Sequence, residues 1–462
     1  MLPDDVLLEI FDLCRQDAEF TWFSVWGQNG LVHVCQRWRR LVFGSPRRLD
    51  LQLHCTRGIP VRKSLSCWPP FHITIRFSDN HGWTSNDEDG LFAALEHPDR
   101  VRQVYLNLTG PLLERVFTVM QQQFSVLTHL TVEWDDDESP LTTIPSGFLG
   151  GSAPCLQHMH LNGIPFPTLP TLLSSTSDLV HLHLHDIIQE GYISLEAMIT
   201  CLAALPKLKL LHIGFKWAPR PDQLCLPSIP QILLPVLTSF EFHGASSYLE
   251  ELISRIDSPR LKQIYIRYSH RPFDFQVTQL FQFIDRSEDS KLALIRDAYV
   301  NISRYRVVLE MYSCSGSRLD WGRVSILTHC RGFDRQNSYL AQLLGQPSAL
   351  FSRVAHLKLH RHRADEDRYN DEWLPVLRRF SAARTLHVVS GKFAGDITLT
   401  LKDLPGEMVA EVLPDLELIY LGDQPESCIE KFLAARRLSG RPVTIVKTKV
   451  EFCERVKSYL NE

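Results

Sequence analysis

Three histidines alternate with leucines at His181, His183 and His185, and a second such pair, His158 and His160, precedes them. Imidazole can ligate zinc or copper, donate and accept hydrogen bonds, and change charge near neutral pH. Alternate residues of a strand point to one face, so each His-x-His places its rings side by side. On neighbouring parallel strands, about 4.8 Å apart, four such rings come within reach of one ion. Spacing permits a metal, yet no cysteine or acidic ligand is visibly placed with them. Three readings stay open: a metal site, histidines tolerated on an exposed strand face, and a recognition surface. The third predicts that affinity for a target varies between about pH 5.5 and 7.5.

The leucines show what must hold these rings in place. Leu179, Leu182 and Leu184 form LxxLxL, and the spacing recurs at 101/104/106, 127/130/132, 156/159/161, 208/211/213, 237/240/242, 261/264/266, 354/357/359, 383/386/388 and 416/419/421. Between residues 101 and 261 the steps lie in the twenties, the period of leucine-rich repeats with one strand and one return segment each. Segments such as DGLFAAL, LEAMITCLAAL and YLEELISRI have helical periodicity and fall between the strands. The second and third aliphatic positions should point inward, and the residues flanking them should line a concave face. That face is expected to bind a target protein through His158, His160, His181, His183, His185, His212 and His243. The same columns hold His129, His356, His360 and His387, so they take up eleven of the nineteen histidines.

The chain begins MLPDDVLLEIFDLCRQ. Asp4 can cap a helix on which Val6, Leu7, Ile10, Phe11 and Cys14 recur at helical spacing. LVHVCQRWRRLVF repeats the device with Leu31, Val34, Cys35, Trp38, Leu41 and Val42. The stretch between them carries Phe20, Trp22, Phe23 and Trp26, more aromatic surface than a free loop would bear. Leu2-Pro3 with Leu7, Ile10 and Phe11, followed by Val34-Cys35, Trp38 and Leu41, resembles the F-box pattern LPxxhLxxIF then VCxxWxxL. The resemblance covers residues 1–45, about a tenth of the chain, and extends to fungal F-box proteins with degenerate leucine-rich-repeat-like regions. It implies a helical module that docks on the Skp adaptor of a cullin ubiquitin ligase. Leu2, Pro3, Leu7, Ile10, Phe11, Val34, Cys35 and Trp38 would then form the adaptor face or its supporting core. A helical cap on the repeats is the plainer reading of the same residues.

The expected fold class is α/β: a short N-terminal F-box-like helical module, then a leucine-rich-repeat-like solenoid with a parallel strand array. Residues 1–45 form the module, and 46–96 a connecting segment with first strands in RLDLQL and FHITIRF. Residues 97–271 form the clear array, 272–350 degenerate repeats or an insertion, and 351–462 the last repeats and a cap. Within 272–350, DAYVNISRYRVVLEMYS alternates as strands do and DWGRVSILTHC reads as helix. WDDDES is a solvated turn, and EKFLAARRLSGRPVTIV is a helix, a stop at Gly440 and a strand.

Composition narrows the function. A net charge of -4, with 44% hydrophobic and 22% charged residues, points to a folded chain with no nucleic-acid or membrane partner. Eleven scattered cysteines without a CxxC suit a reducing compartment, cytoplasmic or nuclear, and the acidic Asp4-Asp5 does not suit a secretory leader. Pro227, Pro230 and Pro235 break the longest charge-free stretch, so no membrane span is expected. There is no GxxxxGK[ST], GxGxxG, GxSxG or HExxH. CSGSR, Cys314 to Arg318, lacks the second glycine of a nucleophile elbow. No catalytic residue, metal or cofactor is expected. The readings that follow are a ligase substrate receptor, a repeat scaffold without ligase role, or a metal-binding sensor on the histidine face.

Overall fold

The computed structural model describes residues 2–16, 31–45, 49, 51–78, 84–134, 142–216, 231–268, 275, 277–286, 291–303, 305–313, 321–329, 333–361, 373–389, 397, 400–402, 404, 408–421 and 426–446. Phe20, Trp22, Phe23 and Trp26, most of WDDDES, CSGSR and the terminal cap lie outside them. The chain divides into two compact units, Met1–Ile193 with Thr200–Leu208, and Ser194–Ile199 with Lys209–Glu462. Both are α/β and built mainly from parallel strands.

The first unit opens with α1 (Asp4–Gln16) and α2 (Gln36–Gly44), joined through a short 3-10 turn at Leu31–His33. Leu7, Leu8 and Phe11 of α1 pack with Val32 and Val42, and the cluster continues into Leu49, Leu51 and Phe71. The helices therefore do not form a separate module. Two helices this short cannot enclose a core by themselves, and the first strand region completes it. Six strands follow: β1 (Gln52–Thr56), β2 (His72–Ser78), β3 (Val101–Asn107), β4 (His129–Glu133), β5 (His158–Asn162) and β6 (His181–Ile187). They pair in chain order and every pair is parallel.

A parallel pair needs a return segment. These are α3 (Val61–Cys67), α4 (Ser85–Leu95), α5 (Gly110–Val119), a 3-10 turn at Phe148–Gly151, and α6 (Leu169–Ser174). At the start of α4, Thr84 and Asp87 form a reciprocal capping box, and Asp87 also accepts from the Gly58 N–H at 2.7 Å. The aliphatic triplets are buried: Val104, Leu106, Leu130, Val132, Met159, Leu161, Leu182 and Leu184 all lie in the core. Each buried side chain of this kind contributes roughly 1.5–3 kcal/mol. After β5 the chain turns through Gly163 at φ 72°, where a Cβ would come within 2.8 Å of the Trp134 carbonyl oxygen.

The second unit continues with β7 (Leu210–Phe215), β8 (Ile232–Leu233), β9 (Ser239–Gly244), β10 (Ile256–Asp257), β11 (Gln263–Tyr268), β12 (Asp297–Ser303), β13 (Arg306–Tyr312), β14 (Arg323–His329), β15 (His356–Arg361), β16 (Thr385–Val389), β17 (Leu418–Tyr420) and β18 (Thr444–Val446). Its sheet runs β7-β9-β11-β14-β13-β12-β15-β16-β17-β18, while β8 and β10 form a separate short pair. β13 is antiparallel to both its neighbours, and the other pairs are parallel.

Residues 323–329 are thus a strand where the spacing predicts a helix. Val324, Ile326 and Thr328 are β-branched, and all three are buried on one side. Ser325 is buried on the other face, where Arg323, Leu327 and His329 are partly exposed, so the apolar Leu327 interrupts the period of two. Glu250, buried on the helix Ser246–Ser254, accepts from the backbone N–H of Gln279 at 2.6 Å and of Leu280 at 3.0 Å. It thereby caps the next helix, Thr278–Arg286. The helix Glu430–Leu438 ends near Gly440 at φ 74°, ahead of β18.

Candidate functional sites: an apolar helix face and a histidine ladder

An α-helix advances about 100° per residue, so the apolar residues of α1 fall on two adjoining arcs. Leu7, Leu8 and Phe11 occupy one and are buried, while Val6, Ile10 and Leu13 occupy the other and are 38%, 37% and 62% exposed. The single stripe expected from spacing therefore splits, because one neighbouring helix covers only part of so wide an apolar surface. Cys14 has no described side-chain placement.

Leu2, 51% exposed, and Val34, 60% exposed, extend the uncovered apolar set, and Pro3 is exposed too. Behind it, the half-buried Trp38 meets the fully buried Phe11 edge to face at 4.9 Å between ring centres. Arg37 ties the helices together, donating from Nε to Asp4 Oδ1 at 3.0 Å and from Nη2 to the Leu2 carbonyl at 2.6 Å. The Cys35 thiol is exposed, and its Sγ accepts from the Trp38 N–H at 3.5 Å as the cap of α2. Of the eight residues singled out by the F-box resemblance, Leu7, Phe11 and Trp38 support the core. Leu2, Pro3, Ile10, Val34 and Cys35 face outward. Leu13 was legible in the sequence, three residues beyond Ile10 on the same arc.

The second surface is the strand face opposite the leucines. In the first unit the register aligns three rows across the strands. Gln103, His129, His158 and His181 form one; Arg76, Tyr105, Thr131, His160 and His183 the next; Asn107, Glu133, Asn162 and His185 the third. All are partly exposed. His129 and His158 stack at 4.1 Å with rings 9° from parallel, and His158 meets His181 edge-on at 4.4 Å. His160 and His183 stack at 5.4 Å. His160 also lies 3.7 Å from the Glu133 carboxylate, and His185 Nδ1 lies 3.2 Å from Asn162 Oδ1 and 3.4 Å from Asp186. The Arg76 guanidinium sits 4.1 Å over the Tyr105 ring. Arg76 and Tyr105 escaped the histidine-centred reading, although strand alternation in FHITIRF and VRQVYLN puts them on this face.

The rings stack instead of converging. Among the described residues, no three His, Cys, Asp or Glu side chains are grouped to hold a metal ion. Burial pushes the His129 imidazole down to about 4, helped by the nearby bases His158, Arg102, His181 and Arg76. Burial, then His181, lowers His158 as well. His129 therefore stays neutral through the pH window in which an isolated histidine would titrate, and His158 is shifted in the same direction.

In the second unit, His212 Nδ1 lies 3.1 Å from Glu241 Oε2. His243 belongs to a different row, between Gly214 and Arg267, so the register does not join it to His212. His356 contacts the Thr385 hydroxyl at 2.8 Å, and His360 the Tyr299 hydroxyl at 3.2 Å. His387 stacks on Tyr420 at 4.1 Å, with burial pushing it down to about 4 and Lys358 and His356 adding to the shift.

Cys35, Cys55, Cys67, Cys155 and Cys201 are free thiols. Burial pushes Cys55 up to about 12 and Cys201 up to about 11, which makes both poor nucleophiles. No helix among the described residues is long and apolar enough to cross a membrane.

Fold and surfaces together define an α/β protein of mainly parallel strands, with an uncovered apolar helix face at one site and a polar, aromatic strand face at the other. No protein-family model matches the chain, and no curated protein matches it either.

Proposed function

We propose that the protein is the substrate-recognition subunit of a Skp/cullin/F-box ubiquitin ligase, with α1 and α2 binding the Skp adaptor and the strand face holding a target protein. The observation that carries this reading is the uncovered set Leu2, Val6, Ile10, Leu13 and Val34, presented on a pair of helices fixed by Phe11, Trp38 and the Arg37–Asp4 ion pair. An apolar stripe at helical spacing, left open above a packed core, fits a helical partner groove. The strand arrays are read as turns of a leucine-rich-repeat-like solenoid, whose role is to hold the target near the transferred ubiquitin. No chemistry is assigned to the chain itself, and the compartment is cytoplasmic or nuclear.

A scaffold without ligase role is the second reading. It is favoured by the continuity of the helical core with Leu49, Leu51 and Phe71, as a cap on the strands would have.

Co-purification of the full chain with a Skp adaptor separates the two. Ile10→Asp and Val34→Asp change exposed positions, so thermal melting should stay within about 0.5 kcal/mol of the parent. Adaptor affinity should fall by about thirtyfold or more, as expected when a central apolar anchor is lost. No association of the parent chain, or equal association of both variants, would leave the scaffold reading standing alone.

A further inference from the structure

Within the first unit, the first row of the histidine ladder differs from the other two in its charge environment. His129, on β4, has Arg102 of β3, Arg76 of β2, His158 of β5 and His181 of β6 acting on it, and every one of these groups is a base. His54 of β1 lies in the same row, through Thr74 and Gln103. The acid on its own strand, Glu133, stands in the third row, 3.7 Å from His160 and 3.3 Å from the Asn107 amide nitrogen.

Thr128 Oγ1 lies 2.9 Å from His129 Nδ1 and 3.1 Å from the Arg102 carbonyl oxygen, which ties the ring to the neighbouring strand. A neutral imidazole keeps one unprotonated ring nitrogen, which can take up a second proton. Partly exposed bases crowded together at rest are complementary to an anion, which relieves their mutual repulsion and lets the rings charge.

We propose that His129 and His158 of this row, with the neighbouring Arg76 and Arg102, receive an acidic segment of the target protein, and that the two imidazoles take up protons from solvent as the segment binds. The inference rests on the receptor reading for calling that partner a target. It commits to a carboxylate-rich peptide as the occupant. Affinity rises as pH falls, because the bound state holds more protons than the free one, by up to about tenfold per pH unit for each proton fully taken up.

The test uses the full chain and a fluorescein-labelled octa-aspartate peptide, followed by anisotropy at pH 7.5 and 5.5 at fixed ionic strength. Calorimetry in two buffers of different ionisation enthalpy counts the protons. The parent chain should bind at least about tenfold more tightly at pH 5.5, with net proton uptake. The His129→Gln/His158→Gln double variant should lose most of that rise. Arg76→Gln and Arg102→Gln should weaken binding at both pH values. Absence of binding at either pH, a flat parent profile, or an undiminished rise in the double variant each overturns the proposal. Adaptor co-purification of the same double variant keeps the two ideas apart. Adaptor binding without peptide binding removes this inference alone, and pH-dependent peptide binding without adaptor binding removes only the ligase role.

Discussion

In the first unit, the row Gln103–His129–His158–His181 crosses four strands without a carboxylate. The middle row of the second unit, His212–Glu241–Tyr265–Ser325–Glu310–Tyr299–Lys358–His387–Tyr420, alternates acids, bases and phenols. Its two acids each have a nitrogen partner, Glu241 with His212 at 3.1 Å and Glu310 with Arg323 at 3.0 Å. Burial differs too. First-unit strands bury one face and leave the other partly exposed, whereas β12 and β13 are buried on both. The same strand alternation therefore leaves a partly exposed polar face in the first unit and, at β12 and β13, polar side chains buried within the second, among them Glu310, which accepts from Arg323.

The largest expected effects test that division. Leu309→Ala on β13 and Leu182→Ala on β6 both empty fully buried sites and should each cost about 3–4 kcal/mol. On the opposite faces the two units should part. Glu310→Ala removes a buried carboxylate and strands the Arg323 guanidinium, for about 2–3 kcal/mol. His183→Ala, on the partly exposed face, should stay below about 0.5 kcal/mol. Denaturant midpoints of the four variants check this, and a Glu310→Ala as quiet as His183→Ala would remove the distinction.

Acid should find both units, by different routes. His129 and His387 are each held at about 4 in the folded chain, against about 6.5 when unfolded. The unfolded state then binds more protons across that interval, so stability falls as pH drops through it. With solvent screening of these partly exposed rings allowed for, each contributes on the order of 1 kcal/mol. His129→Gln and His387→Gln should each flatten the loss in melting temperature between pH 7.5 and 4.5. An acid loss unchanged in both variants would place it elsewhere in the chain.

Much of this was readable in advance. The second position of all ten aliphatic triplets lies on a strand, because buried residues on alternate positions leave a strand little freedom of register. The histidine rows followed from the same alternation. Three features were hidden. Residues 323–329 bury Ser325 and carry Leu327 on the face opposite Val324, Ile326 and Thr328, which blurs the period that separates strand from helix. The division of α1 into a buried and an open arc depends on how much surface α2 covers, a tertiary quantity. The neutrality of His129 depends first on its burial and then on His158, Arg102, His181 and Arg76, which reach it from other strands and share no local motif with it.

The smallest effect is also the one that most directly asks whether the two ladders differ in kind. His129 on His158 and His387 on Tyr420 are stacked alike, at 4.1 Å and nearly parallel. At pH 7.5, double-mutant cycles to alanine should return favourable coupling of about 0.5 kcal/mol for each pair. Below about pH 4, where His129 and His387 take up protons, the pairs should diverge. A charged His129 faces a second base in His158, so its coupling should weaken. A phenol ring cannot acquire a positive charge, so a protonated His387 gains a cation–π contact with Tyr420 worth about 0.5–1 kcal/mol, and its coupling should strengthen. Opposite trends would mark the first-unit row as a surface that gains from an arriving anion when it charges, and the second-unit row as one already satisfied from within. Parallel trends would mean that the stacking geometry, and not the chemistry of the partner ring, governs both.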